Sequence, residues 1–242
     1  MTIDLNCDLG EGAGHDAELM PLITSANIAC GGHAGDVTTM RETMALARRH
    51  GVGIGAHPGF ADRENFGRQE IACSADEVRE LVARQVGALR ELGPVRHVKP
   101  HGALYNLAAR DCGVAEAIVD AVQAIDTKLI LFALAGSELA RAGRTRGLRV
   151  AEEVFADRSY RRDGSLAPRS EPGALIEDEG AAVAQVLRMA REGVVRTTDG
   201  GDVWIVADTV CLHGDGAHAV AFARRLNHEL RRAGIALRTF GA

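Results

Sequence analysis

Short β-like runs and helical runs alternate along this chain, and almost every β-like run ends in titratable residues. That alternation constrains the fold most. The β-like runs are Ile3 to Cys7, Ala26 to Cys30, Val52 to Ala56, Arg96 to Lys99, Leu129 to Leu134, Arg149 to Phe155 and Val203 to Leu212. Leu129 to Leu134 is uniformly apolar, as a strand buried on both faces should be. Helical runs fall between them: Val37 to His50 with Gly51 as its C-cap, Ser74 to Leu92, Val114 to Ala124, Glu138 to Ala142, Asp178 to Glu192 and Ala217 to Ala233. Ser74 with Glu77 three residues on reads as a capping box, and Gly93-Pro94 stops that helix. Strand and helix in turn imply right-handed βαβ units and a largely parallel sheet. About seven units predict a single distorted TIM-like (β/α)7 barrel domain over residues 1–242, with a doubly wound open sheet as the alternative. No Pro-, Gly- or Ser-rich linker divides the chain, and it carries no internal repeat beyond the βα alternation.

In a parallel barrel, residues at the strand ends share one face, the C-terminal rim where barrel enzymes keep their sites. Asn6, Asp8 and Glu11 follow the first run, His33 and Asp36 the second, and His57 the third. The fourth ends in Lys99-Pro100-His101, the sixth in Glu153 and then Asp157-Arg158, and the seventh holds Asp208 and ends in His213 and Asp215. Asp8, His33 and His57 come from three consecutive strand ends. An Asp and two His can bind a divalent metal with positions left open for water. The same groups can instead exchange protons or hydrogen-bond a polar substrate. Lys99 and His101 flank Pro100, so both side chains project to the same side of an extended segment, where they can polarise a carbonyl or bind a phosphate. A lysine there can equally pair with a barrel carboxylate such as Asp8 or Glu153. The polar stretch Tyr160 to Arg169, with its Asp163-Gly164 turn, reads as a lid or clamp offering Arg158 or Arg169 to a carboxylate, or as a solvated surface loop.

Composition excludes several classes. A net charge of −5 with both signs interspersed gives no basic face for nucleic acid. The five cysteines form no CxxC pair, which argues against a disulfide framework or a thiolate zinc site and fits a reduced, cytoplasmic setting. Cys7, Cys30 and Cys211 neighbour the rim and read as small buried apolar groups rather than nucleophiles. Met1 to Asn6 does not open a signal peptide, and no apolar stretch approaches the roughly 20 residues that span a bilayer. Gly10, Gly12 and Gly14 alternate without GxGxxG spacing and no P-loop is present, so no nucleotide cradle is recognisable. His15, His50, His218 and His228 fall in loops or on helices and read as surface groups.

Long stretches of the chain also resemble the LamB/YcsF family, that of the A subunit of bacterial 5-oxoprolinase. They are Asn6 to Glu11 (NCDLGE), Ser25 to Asp36, Gly53 to Gly59, His97 to Asn106 (HVKPHGALYN), Glu153 to Arg158 and Asp208 to Asp215, all in family order. The resemblance covers essentially the whole chain. It implies a seven-stranded barrel akin to sugar deacetylases. It further implies ATP-dependent opening of 5-oxo-L-proline to L-glutamate, with Mg2+ accompanying ATP and separate B and C subunits as partners. The expected catalytic groups are Asp8, His57, Lys99, His101, Asp157 and His213. Asn6, Glu11, Glu153, Arg158, Arg169 and Asp215 are expected to bind substrate, and Asp8, His33 and His57 to hold any metal. The alternatives are a metal-dependent deacetylase and a non-catalytic 5-oxoproline-binding subunit. The chain departs from the family at Gly32, where Phe is usual, at Phe60-Ala61-Asp62, where Tyr-Pro-Asp is usual, and at Gln69, where a second Arg is common. These changes bear on the shape of the pocket.

Overall fold

The computed structural model describes residues 1–212 and 218–241. Seven parallel strands close into a barrel: β1 (Thr2–Leu9), β2 (Ser25–Ala29), β3 (Gly53–His57), β4 (His97–Val98), β5 (Ile130–Leu134), β6 (Arg149–Phe155) and β9 (Thr209–Leu212). They pair in that order, and β9 then pairs with β1 through Asp4↔Thr209 to Cys7↔Leu212. That last ladder rules out the open doubly wound sheet. The helices are α1 (Asp16–Leu19), α2 (Val37–His50), α3 (Ala75–Glu91), α4 (Gly102–Ala108), α5 (Cys112–Ile125), α6 (Glu138–Thr145), α7 (Glu179–Glu192) and α8 (Ala219–Arg232).

The helix boundaries follow local chemistry. Asp36, Ser74, Asp111, Ser137 and Asp178 each accept a backbone N–H of the first turn, and Ser74 and Glu77 complete the capping box. Asp36 is thus spent as the cap of α2 and does not face the rim site. Gly51 ends α2 in the left-handed conformation at φ 68°.

The expected seventh strand, Val203 to Leu212, is two elements. β8 (Asp202–Trp204) pairs antiparallel with β7 (Val194–Arg196) in a hairpin outside the barrel, and only Thr209–Leu212 enters the wall. Ten apolar-rich residues exceed what a barrel strand of about five needs. The surplus, Ile205 to Asp208, carries the chain from hairpin to barrel. Asp208 therefore lies at the start of β9, at the barrel base and away from the rim, where its carboxylate accepts the Glu152 N–H at 2.9 Å.

The wall strands alternate in an unusual sense. In β1, Ile3, Leu5, Cys7 and Leu9 join the apolar core shared with the helices, whereas Asp4, Asn6 and Asp8 bond across the barrel interior. Ser25 and Asn27, His97 and Lys99, and Thr209 and Cys211 behave as the second set does. The base is closed by apolar groups: Ile130, Phe132 and Ala151 pack with Phe240, which follows β10 (Ala236–Leu237), a short strand paired to Thr2 and Ile3. No helix among the described residues is long and apolar enough to cross a membrane.

Candidate functional site

The site sits on a polar column that fills the barrel from base to mouth. At the base, Asp4 accepts hydrogen bonds from Ser25 (2.7 Å), Thr24 (2.6 Å) and Thr209 (2.5 Å), and burial raises its pKa against those bonds. Above it, the Asn6 amide donates to Thr209 at 2.7 Å and to Glu153 at 2.9 Å. Asn27 donates to Asn6 at 2.7 Å and to Asp8 at 2.8 Å, and accepts from His97 Nε2 at 2.8 Å. Gly55 makes room for His97, because a Cβ there would fall 2.0 Å from its Nε2. Burial, then Lys99, pushes the His97 pKa down to about 3, so the ring is neutral and Nε2 carries its proton.

Lys99 crowns the column. Its ammonium lies 2.8 Å from Asp8 Oδ1, 2.9 Å from Glu153 Oε1 and 3.0 Å from Cys211 Sγ, with the side chain 3% exposed. Burial opposes the charge, but Asp8, Cys211 and Glu153 outweigh it and the pKa is raised. Tyr105, on α4, donates to the other Glu153 oxygen at 2.6 Å. Asn6 and Glu153, at 0% exposure, lie beneath this layer. Neither lines the cavities at the mouth.

Four further side chains ring the mouth: Glu11, His33, His57 and His101, whose ligand atoms all lie within 4.8 Å of one another. Hydrogen bonds fix two of the ring tautomers. His57 Nδ1 donates to the Lys99 carbonyl at 2.8 Å and His101 Nε2 to the Phe66 carbonyl at 2.9 Å. His57 Nε2 and His101 Nδ1 are then left facing each other at 3.0 Å. His57 Nε2 is also 3.3 Å from Asp8 Oδ2. Burial opposes a charge on His57, but Asp8 prevails and raises its pKa. Burial first, and then His57, pushes His33 and His101 down to about 3. His33 stacks flat on His101, with centroids 3.6 Å apart, and meets Glu11 Oε1 through Nε2 at 2.9 Å.

The loop before α3 holds this cluster. Phe66 sits at φ 55°, a left-handed conformation that a bulky residue adopts only under constraint, and its carbonyl receives His101. Gly59 packs against the edges of both His33 and His101, where a Cβ would come within 2.9 Å of His33 Nδ1 and 3.1 Å of the His101 Cβ. Gln85, buried on α3, clasps Gly59 from behind, accepting its N–H at 3.1 Å and donating to its carbonyl at 2.6 Å. A Cβ at Gly32 would fall 2.6 Å from Gln85 Oε1, so this glycine and the clasp fit together. Phe66, Gln85 and Arg68 were not foreseeable as site residues, because they act through backbone contacts or loop placement. Tyr105 was visible only as part of the HVKPHGALYN stretch.

Two cavities meet here. A small one of about 50 Å3 is lined by Asp8, Glu11, His57, Lys99 and His101. A larger one of about 630 Å3 shares Arg68, Arg158 and Arg169 with it and adds Arg110 and Arg161. Arg158 is 5% exposed and donates to the Ala167 carbonyl at 2.6 Å, while its buried Nε has no hydrogen-bond partner among the described residues. Burial, then Arg169, lowers its pKa to about 10. The 160–169 stretch is anchored by Tyr160, fully buried with its hydroxyl accepting the Phe155 N–H at 2.7 Å. Asp157 is half-buried beside it. His213 and Asp215 lie outside the described residues. Of the other histidines, His50, His218 and His228 are exposed and His15 is half-buried.

The closed seven-strand parallel barrel has the fold of carbohydrate esterases and deacetylases. A family 4 carbohydrate esterase from Streptomyces lividans, solved in complex with acetate, superposes with a TM-score of 0.51 at 12% identity, over 98% of this chain and 91% of that one. That likeness is one of fold alone. The chain belongs to the LamB/YcsF family, whose model matches residues 3–242. It is similar to the A subunit of 5-oxoprolinase from Geobacillus kaustophilus, with 56% identity covering 98% of this chain and 96% of the relative. It is also similar in structure to the lactam utilization protein from Thermus thermophilus, with a TM-score of 0.93, 47% identity and coverage of 99% and 100%.

Proposed function

We propose that this chain, acting as one barrel domain in the cytoplasm, is the lactam-opening component of a multi-subunit 5-oxoprolinase. It converts 5-oxo-L-proline to L-glutamate with ATP and Mg2+, alongside B and C subunits. The observation that carries this reading is the 56% identity, over nearly the full length, to a relative bearing that name. The geometry supports it and sorts the expected roles.

A lactam resists water because attack costs amide resonance. Phosphorylation of the lactam oxygen would remove that resonance and supply a leaving group. Asp8 is the group placed to take a proton from the attacking water: Lys99 and Asn27 hold Oδ1, and Oδ2 lies 3.3 Å from His57 Nε2. Water adds to the lactam carbon, the ring C–N bond breaks as the nitrogen takes a proton, and a second water releases phosphate from the resulting acyl phosphate. Positive charge centred at His57 stabilises the phosphoryl oxygens. Lys99, locked between Asp8 and Glu153, works by fixing Asp8 rather than by reaching the substrate. His101 has its N–H on the Phe66 carbonyl and offers a lone pair, so it orients and does not donate. Arg158, whose Nε has no hydrogen-bond partner among the described residues, receives the substrate carboxylate. The small cavity suits the ring, and the adjoining arginine-walled space suits an anionic co-substrate.

The test is Asp8→Asn in an assay of glutamate formation with ATP, 5-oxoproline and both partner proteins. A loss of turnover of about 10²–10⁴-fold is expected, and near-wild-type turnover would remove Asp8 from this role. Acetyl release from amino sugars without ATP would mark a deacetylase. Binding of 5-oxoproline without turnover in the complete assembly would mark a component that only binds.

A further inference from the structure

We infer that the mouth of the barrel is a divalent transition-metal site whose protein ligands are Glu11, His57 and His101, with His33 orienting Glu11. The three donor atoms form a compact triangle: His57 Nε2 to His101 Nδ1 at 3.0 Å, His101 Nδ1 to Glu11 Oε1 at 3.4 Å and His57 Nε2 to Glu11 Oε1 at 3.8 Å. Ligands about 2.0–2.1 Å from a tetrahedral ion stand roughly 3.3–3.4 Å apart, the mean spacing seen here.

The tautomers point the same way. Each ring donates its far N–H to a backbone carbonyl, His57 to Lys99 and His101 to Phe66, the outer arrangement that metal-ligating imidazoles commonly have. Two lone pairs are thereby driven together at 3.0 Å beside two carboxylates, Asp8 and Glu11. Such a point needs a cation. A metal ion bound by all three donors would supply it.

The stacking decides which rings can ligate. His33 and His101 lie 3.6 Å apart with planes 4° from parallel, so their in-plane lone pairs cannot converge on one ion. His101 aims its free nitrogen at His57, whereas His33 places Nε2 on Glu11 at 2.9 Å and so fixes that carboxylate. Asp8, held by Lys99 and Asn27, stays beside the ion rather than on it. This differs from the Asp8, His33 and His57 set expected from the strand ends. Two imidazoles and a carboxylate suit zinc, cobalt or a similar borderline ion, with open positions facing the small cavity. The inference rests on these distances and is independent of lactam opening.

The test uses untagged, chelator-stripped full-length protein titrated with Co2+ and followed by its visible d–d absorption, together with calorimetry of Zn2+ binding in buffers of different ionisation enthalpy. One ion per chain is expected. Glu11→Gln and His101→Ala should each weaken binding by about 100-fold or more. His33→Gln should weaken it about 10–100-fold with the cobalt spectrum little changed, and exposed His228→Ala should change nothing. Circular dichroism establishes that each variant is folded, and His101→Asn stands in if His101→Ala is not. Absence of a cobalt band in the wild-type protein at stoichiometric metal overturns the inference. So does binding that survives Glu11→Gln and His101→Ala but is lost in Asp8→Asn.

Discussion

The barrel column and the barrel mouth are both buried and polar, yet they are built on opposite terms. In the column, Asn6 and Asn27 use their amide groups fully and Lys99 closes on Asp8 and Glu153, with His97 Nδ1 the one buried polar side-chain atom there lacking a partner among the described residues. At the mouth, a few ångströms above, His57 Nε2 and His101 Nδ1 face each other at 3.0 Å, and the buried His33 Nδ1 and Arg158 Nε have no hydrogen-bond partner among the described residues. Buried polar groups are ordinarily satisfied, so a satisfied network reads as scaffold and an unsatisfied one as a place kept for a ligand. The column gives Asp8 a single orientation, and the mouth keeps the capacity to bind.

The sharpest way to break this contrast is Lys99→Met. It leaves Asp8 and Glu153 buried without their cation and should cost about 3–5 kcal/mol in urea unfolding, together with turnover. A loss of turnover with stability intact would move Lys99 from the column to the chemistry.

A graded effect comes from His97. Its ring is neutral in the folded protein, with a pKa of about 3, and takes up a proton on unfolding below about 6.5. Its contribution to stability is therefore present above that pH and is lost as pH falls from about 6.5 toward 3, at on the order of 1 kcal/mol per pH unit. Asp4, raised by burial, works in the opposite sense, favouring the folded state as pH falls toward its ordinary value. The difference between wild-type and His97→Gln unfolding curves isolates the imidazole, and a flat difference between pH 6.5 and 4 would contradict a neutral His97.

The smallest effect is expected where column and mouth are joined by the backbone. Gln85→Leu removes the clasp on Gly59 and leaves that peptide unpaired, for about 1–3 kcal/mol. Because Gly59 packs against both His33 and His101, turnover should fall with little change in KM, and Gln85→Glu should restore part of it. An unchanged kcat would confine Gln85 to stability.

Much of this was written locally. The βα alternation predicted a barrel, and the caps at Ser74, Asp178 and Gly51 fixed helix ends because their partners lie within four residues. The strand-end rule gathered Asp8, His33, His57, Lys99 and His101. Tertiary structure decided the rest, because it depends on contacts between residues far apart in the chain. Which end of Val203 to Leu212 joins the barrel depends on pairing with both β1 and β6. That Lys99 belongs to Asp8 and Glu153, that Glu153 lies below the rim, and that His33 stacks on His101 are set by the closure of seven strands around one axis. Sequence fixes which side chains a strand end can offer. Only the closed barrel determines which of them share a proton, and which are left facing a space meant for something else.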